Sequence, residues 1–503
     1  MREERYDAIV IGSGFGGAMA AHALIDAGWS VLMLERGDWV SRGAHNWMPD
    51  GVGPLTPHYS IESRTFHCVG GPSVFYGGVA LRFRARDFEH AAEIAGASGA
   101  SWPWGYGDLE PYYTEAEQLL GVAGTAGADP TEAERSAAYP QRPADLAPVS
   151  RRIERAAREL GCRPFPLPLA INHSRDSGRP SCVSCGTCDG FACAIGAKND
   201  LATAVLRPLM RRGLDLRANT VVTRLIAARG RVTGVVGVDR ETGRTTTYRA
   251  GAVLLAAGAL ASPQLLLASG LSPLNPAGHL VGRYLMRHYN EIVFGIFPKP
   301  PNPGGGFHKQ LGIHDYYFGH PSVRGPLGKL GGIQQLATPP VGLVRAQLPG
   351  LLGTVLAPWV NHLTGLLTIA EDQPRYENRV ALDGVTHCYS DRDVAASRAL
   401  TGRARAILRR AGAWGFYRHR IETFSHAVGT VRTGVDPRTS PLDEECRFRG
   451  LANLWVVDGS VMPTSAGVNP SLTIAAIALR AAHRLAAVSL STPEADSHVA
   501  IAG

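Results

Sequence analysis

The chain has 503 residues, of which 45% are hydrophobic and 19% charged. That balance belongs to a folded globular protein and excludes both a disordered chain and a bundle of membrane helices. Its 51 Lys and Arg against 43 Asp and Glu leave a net charge of +8 spread over the whole length. The basic clusters Met210 to Gly213 and Arg418 to Arg420 are short and flanked by apolar residues, unlike the continuous stripe a nucleic acid demands. One core cannot serve this length, so two closely joined domains are expected.

The N-terminus runs straight into a structural motif, with no charged, apolar and cleavage regions of a secretory signal ahead of it, and a cytoplasmic location is expected. Residues 6–37 read YDAIVIGSGFGGAMAAHALIDAGWSVLMLERG. A short apolar strand at 8–11 meets Gly12, Gly14 and Gly17, a helical stretch at 18–27 follows, and a second strand at 31–34 ends in Glu35. Gly12 permits the tight turn, Gly14 lets backbone approach a pyrophosphate, and Gly17 allows close helix–strand packing. The helix N-terminus turns N–H groups and positive dipole toward the phosphates. Glu35 stands about 20 residues on, where a carboxylate accepts from the adenosine ribose and repels a 2′-phosphate. A dinucleotide other than NADP is expected.

Further along, residues 69–82 read VGGPSVFYGGVALR, a glycine-rich turn. In 100–121, Asp108 is a plausible N-cap for an amphipathic helix containing Tyr112 and Leu119, and Trp102, Trp104 and Tyr106 read as core rather than cavity wall. Residues 182–193, CVSCGTCDGFAC, hold four of the chain's 8 cysteines. Cys182, Cys185, Cys188 and Cys193 are spaced C-x2-C-x2-C-x4-C, one residue longer at the last gap than a bacterial iron–sulfur run and without its following Pro. Zinc ribbons pair two knuckles across a longer spacer, and stable disulfides are disfavoured in a reducing compartment. Structural thiols, a cluster and zinc all stay open. The remaining cysteines, Cys68, Cys162, Cys388 and Cys446, are scattered and read as buried single thiols.

Residues 235–271 give strands, a turn at Gly243 and an apolar strand running into GALASPQLLLASG. The Pro/Gly loop at 299–309 is a candidate cavity rim. The most apolar stretch, Pro340 to Ala370, is broken by Arg345, Pro349 and Pro358, so it lacks the roughly 20 uninterrupted apolar residues of a membrane span. Near the C-terminus HAVGTVRTG (426–434) precedes VVDGSVMPTSAGVNPSLTIAA (456–476). Three separated segments with strand ends and glycine turns imply one cofactor domain assembled from distant parts of the chain.

Taken in order, GSGFGGAMAAHAL, VGGPSVFYGGVALR, GALASPQLLLASG, HAVGTVRTG and the VNPSLT ending resemble the glucose-methanol-choline (GMC) family of FAD oxidoreductases. The Asn-Pro ending is closest to the cholesterol oxidase-like and bacterial sugar oxidase-like branches. The resemblance implies an α/β fold, with a Rossmann-like FAD-binding domain from discontinuous segments (1–95, 178–290, 422–490). It also implies an α+β substrate domain with a mainly antiparallel sheet (96–177, 291–421). It makes His426 the catalytic base and Asn469 its partner. Gly70, Gly71, Ser73, Gly77 and Gly78 would line the isoalloxazine and pyrophosphate, with Asp458 and Gly459 along the ribityl chain. Further FAD contacts are implied at Val222, Ala257, Gly258 and Pro470.

FAD should be noncovalent, because Phe75 stands where some relatives carry a linking histidine, and Tyr76 occupies a position beside the flavin where relatives often have Asn or Trp. The active-site glutamate of cholesterol oxidase has no match. Some relatives hold a cysteine-bound iron–sulfur cluster, whereas others have a similar loop without one, so Cys182, Cys185, Cys188 and Cys193 are possible metal ligands only.

The implied chemistry is alcohol oxidation. A neutral imidazole, titrating near ~6.5, can take a hydroxyl proton as hydride leaves for flavin N5. The amide of Asn469 cannot be a base, but it can donate to the substrate oxygen and also suits a helix N-cap. The apolar 340–370 stretch points to a bulky, mostly apolar alcohol such as a sterol, terpenoid or long-chain alcohol, or else to a surface for peripheral membrane or protein contact. A sugar or glycoside substrate is the alternative, and a lyase or plain flavin binder a further one. Oxygen, a quinone or a redox protein are the expected acceptors.

Overall fold

The computed structural model describes residues 5–48, 51–321, 327–341, 350–351, 355 and 357–490. Two large sheets organise them. The first has seven strands, in the order Asp215–Arg217, Val31–Leu34, Arg5–Ile11, Thr245–Leu255, Arg231–Asp239 and Thr220–Ala228, with Leu454–Val456 also paired to Thr245–Leu255. Arg5–Ile11 runs parallel to both Val31–Leu34 and Thr245–Leu255, and Leu454–Val456 joins parallel on the far side. Its central strands are buried on both faces, which is why AIVI, VLML and AVLL read as continuous apolar runs.

Thr245–Leu255 serves two partners along its length. Its first residues pair antiparallel with Arg231–Asp239, and the rest enters the parallel sheet beside Arg5–Ile11. The helix Phe15–Asp26 packs against Ser471–Leu490, which in turn packs against Tyr106–Leu119. Ser471–Val488 is long and apolar enough to cross a bilayer, but 61% of it is buried inside the protein, the position of a core helix.

The second sheet has six strands, in the order Gly415–Arg420, Tyr289–Ile296, Leu363–Ala370, Gly331–Leu336, Leu311–Ile313 and Phe165–Pro166, all antiparallel. One face packs Tyr289, Val293, Leu366 and Ile333 against the helices Pro148–Glu159 and Asp391–Arg410. The other carries Asn290, Ile292 and Phe294, beside Leu367, Ile369 and Gln334 on the neighbouring strands.

Residues 342–349, 352–354 and 356 of the apolar 340–370 stretch lie outside the described residues. Its last eight residues, Leu363–Ala370, are an inner strand of this sheet and are buried almost throughout. Its apolarity therefore reflects burial on two faces and is no measure of a substrate.

Local chemistry departs from expectation in one helix. Gly105 caps Tyr106–Leu119, while Asp108 sits at the third helical position and accepts from Gly105 N at 2.9 Å. Trp102 and Trp104 are buried in the main core, as expected; the Trp102 indole donates to Thr464 Oγ1 at 2.8 Å.

Candidate active site

The glycine turn has the geometry its sequence calls for. Gly12 has φ +100, and a Cβ there would lie 2.4 Å from Ala256 O. A Cβ on Gly17 would lie 1.9 Å from Gly12 O, so only glycine lets helix and strand approach this closely. Gly14 differs: a Cβ there meets nothing within 4 Å, and the same is true at Gly258, whose φ is +89. Both stand at helix N-termini, those of Phe15–Asp26 and Gly258–Ala268, where backbone N–H groups lack helical partners. Gly71 closes over the turn, its Cβ direction 3.3 Å from Gly14 Cα.

Several expected cofactor residues hold one another. Glu35 accepts from Ser13 N at 3.0 Å, Ser13 Oγ at 2.6 Å and Gly37 N at 2.9 Å. Burial pushes its carboxyl up, against those donors. Ser13 Oγ also receives Gly70 N at 2.9 Å. Ser73 Oγ donates to Gly70 O and receives Leu201 N, which commits it to the protein. Val222 is half-buried on a strand whose first residue, Thr220, donates its N–H to Glu35 O.

Asp458, which the resemblance puts beside the ribityl chain, accepts from Gly258 N, Ser262 Oγ, Ser460 N and Ser460 Oγ at 2.5–2.9 Å. Four donors fill a carboxylate's usual capacity, so Asp458 clamps the two segments together, and burial pushes its carboxyl up. Ala257 caps the Gly258 helix. Pro470 is buried immediately before the Ser471 helix.

His426 lies on a loop held from both sides. Val428 pairs with Met286 in both directions, and Gly429 N donates to Gly459 O at 3.0 Å. A Cβ on Gly459 would lie 3.0 Å from Ala427 O. The His426 Nε2 is 3.2 Å from Asn469 Nδ2, and Asn469 Oδ1 accepts from Gln334 Nε2 at 2.6 Å. On the ring's other side, His426 Nδ1 is 2.9 Å from His288 Nδ1. The two motif residues separated by 43 positions thus meet, with the Asn469 oxygen taken by Gln334 and one of its two Nδ2 hydrogens facing His426. Burial, with His288 and Lys309 adding to it, holds His426 well below its ordinary value, so the imidazole is neutral.

Three residues here carry no motif: His288, Asn290 and Gln334. Their one signal is the placement of His288 and Asn290 two apart at the entry to the apolar strand Tyr289–Ile296. Lys309 is buried, forms an ion pair with Asp189 at 2.9 Å, and stands over Gly77, whose Cβ direction is 2.6 Å from Lys309 Nζ. Gly78 faces Ile171 instead.

Among the described residues no group of three or more His, Cys, Asp or Glu side chains, the four cysteines Cys182, Cys185, Cys188 and Cys193 included, is placed to hold a metal ion. All four are free thiols. Cys182 Sγ accepts from Ser184 N, and Cys185 Sγ from Thr187 Oγ1. Cys188 belongs to the main core, where burial pushes its thiol up to about 12. The loop is held instead by buried Lys198, whose Nζ donates to Tyr76 O, Cys188 O and Phe191 O.

The family model for GMC oxidoreductases matches residues 6–290, and its C-terminal counterpart matches 374–478. The chain belongs to the GMC oxidoreductase family. It is 34% identical to 6'''-hydroxyparomomycin C oxidase of Streptomyces lividus, over 96% of this chain and 91% of that protein. It is 33% identical to paromamine 6'-oxidase of Streptomyces fradiae, over the same shares. Pyridoxine 4-oxidase from Mesorbium loti shares the fold with a TM-score of 0.66 at 20% identity, over 95% of this chain and 98% of that one. The GMC family binds FAD and oxidises alcohols, and this chain is an oxidoreductase acting on CH–OH groups. The open space at Gly14 and Gly258, two helix N-termini and Glu35 fit that cofactor.

Proposed function

We propose that His426 takes the hydroxyl proton of an alcohol while Asn469 orients the substrate oxygen, with FAD held noncovalently by Gly12, Gly14, Gly70, Gly71, Gly258 and Glu35. Bound FAD supplies the hydride acceptor, so that loss of one proton and one hydride turns CH–OH into a carbonyl. The chain's part is to hold a neutral imidazole with its Nε2 beside an amide donor. As charge develops on the oxygen, Asn469 Nδ2 is placed to donate to it. The His426–Asn469 contact carries this reading.

His426→Ala tests it: flavin content should stay at the wild-type level while the rate of flavin reduction by alcohol falls about 10²–10⁴-fold. Undiminished reduction would remove His426 as the base, and turnover without any flavin reduction would favour a lyase.

For the substrate we favour a polyhydroxylated alcohol of sugar or polyol type. Asn290 Oδ1 and Gln334 Oε1 are buried without a hydrogen-bond partner, on side chains that touch His426 and Asn469. Buried acceptors left unpaired cost about 1–3 kcal/mol each, and further substrate hydroxyls would satisfy them. The names of the two Streptomyces relatives agree with a sugar-like substrate. A second reading, an alcohol carried on an apolar body, draws on the cluster of Ile292, Phe294, Leu367 and Ile369 on the same sheet face. Anaerobic flavin bleaching by amino sugars and polyols against sterols and long-chain alcohols separates the two; bleaching by the second set alone would overturn our preference. The domain division at the two sheets, a cytoplasmic site of action, and oxygen, a quinone or a redox protein as acceptor belong to the same proposal.

A further inference from the structure

We infer that His288 is a positioning residue that fixes the tautomer of His426, leaving its Nε2 bare, an acceptor held by the Asn469 amide until a substrate hydroxyl takes that place; this rests on the reading of His426 as the base. The direction of each hydrogen bond follows from the atoms at its ends. Ser465 O is a carbonyl and can only accept, so His288 Nε2, 2.9 Å away, carries a hydrogen. A neutral His288 then has a bare Nδ1. The atom facing it at 2.9 Å is His426 Nδ1, which must therefore be the N–H. That leaves His426 Nε2 without a hydrogen.

The far end of the chain agrees independently. Gln334 Nε2 donates to Asn469 Oδ1, so the Asn469 atom facing His426 Nε2 is Nδ2, a donor that requires a bare nitrogen opposite. Two separate anchors, one a backbone carbonyl and the other a strand amide, thus impose the same tautomer. The Asn290 amide, 3.5 Å from His426 Nδ1, is too distant to compete with the 2.9 Å contact.

The protein invests backbone conformation in this arrangement. His288 has φ +62, a left-handed conformation that non-glycine residues adopt at a cost. Asp372 holds it there: its carboxylate accepts from Arg287 N at 2.9 Å, His288 N at 3.1 Å and Ser465 Oγ at 2.8 Å. One buried carboxylate therefore sets both the His288 backbone and the residue whose carbonyl receives the His288 ring. Tyr389 OH donates to His288 O at 2.8 Å and completes the grip. Burial, opposed by Asp372, keeps His288 below its ordinary value and so neutral, as the chain of donors demands.

The test combines a spectroscopic and a kinetic readout on the flavin-loaded enzyme. Nitrogen-15 spectra of histidine-labelled protein, with the His426 signals assigned by their loss in His426→Asn, should show a protonated Nδ1 and an unprotonated Nε2. The opposite tautomer in the wild type would overturn the inference without any activity measurement.

In kinetics, His288→Ala removes the acceptor for His426 Nδ1–H. It should lower the rate of flavin reduction about 10²-fold with little change in KM. His288→Asn places an amide oxygen near the lost Nδ1 and suits the left-handed backbone, and it should recover most of that loss. Equal rates in the Ala and Asn variants would reduce His288 to a packing role. If His426→Ala keeps full activity while the wild-type tautomer is as stated, the base assignment fails and the tautomer inference stands as structure alone.

Discussion

Replacing Asp458 with Ala separates two roles that the sequence left together, cofactor contact and structural clamp. The carboxylate is 4% exposed and is surrounded by four protein donors. Two of these are hydroxyls, on Ser262 and Ser460, which can rotate to other acceptors. The other two, Gly258 N and Ser460 N, are backbone groups with fixed directions, and alanine leaves both unpaired. At about 1–3 kcal/mol for each buried unsatisfied donor, the variant should lose about 2–6 kcal/mol of stability. Asp458→Asn keeps one oxygen and should lose about half as much.

The assay is the urea unfolding midpoint of flavin-stripped protein, because bound flavin would add its own stabilisation by mass action. An apo midpoint within about 0.5 kcal/mol of the wild type, the range of an ordinary surface change, would refute the clamp. Combined with lost flavin, it would return Asp458 to the ribityl chain.

Other outcomes follow from the same geometry. Gly14→Val should fold normally, since the Cβ direction is open and the φ of −69 is allowed for any residue; its affinity for FAD, measured by fluorescence titration, should fall about tenfold or more. Gly12→Ala, by contrast, drives a Cβ into Ala256 O at φ +100 and should unfold earlier on heating, with or without FAD. Burial raises the Glu110 carboxyl, but donors from Ser136 and Arg82 outweigh it and hold the group at about 2, against 4.5 for a free glutamate. The stability this confers is present above about 4.5 and is lost as pH falls toward 2. Acid titration of unfolding should therefore be shallower in Glu110→Gln over that window. Anaerobically purified protein should carry less than stoichiometric iron and acid-labile sulfide, because no group of the thiols of the 182–193 loop is placed to hold a metal; a full complement would contradict that geometry.

Much of the cofactor half was legible because its signals are local. Gly12, Gly14 and Gly17 are required by a turn, an open cradle and a close packing contact that all fall within six residues. His426 and Asn469 were legible through their own short motifs, although 43 residues separate them. The polar residues completing the site were not. His288 and Asn290 stand 138 and 136 residues before His426, and Gln334 lies on a different strand again, with no motif around any of them.

The Cys182–Cys193 run was ambiguous in sequence, and among the described residues its thiols form no group placed to hold a metal. Its spacing was compatible with a cluster, but the buried Cys188 and the Lys198 anchor turn the loop into a structural strap. The Leu363–Ala370 end of the apolar stretch likewise recorded strand burial more than ligand chemistry.

By itself the sequence determined the glycine turn after the first strand, a sheet assembled from distant segments and the meeting of His426 with Asn469. Those depend on backbone conformations and short spacings that a few residues specify. Only the tertiary structure decided which nitrogen of His426 is bare, what Asp458 holds and which face of the antiparallel sheet meets the site. Each of these depends on donors and acceptors brought together by strand register, and register is fixed by the packing of whole sheet faces, not by the identity of any one residue.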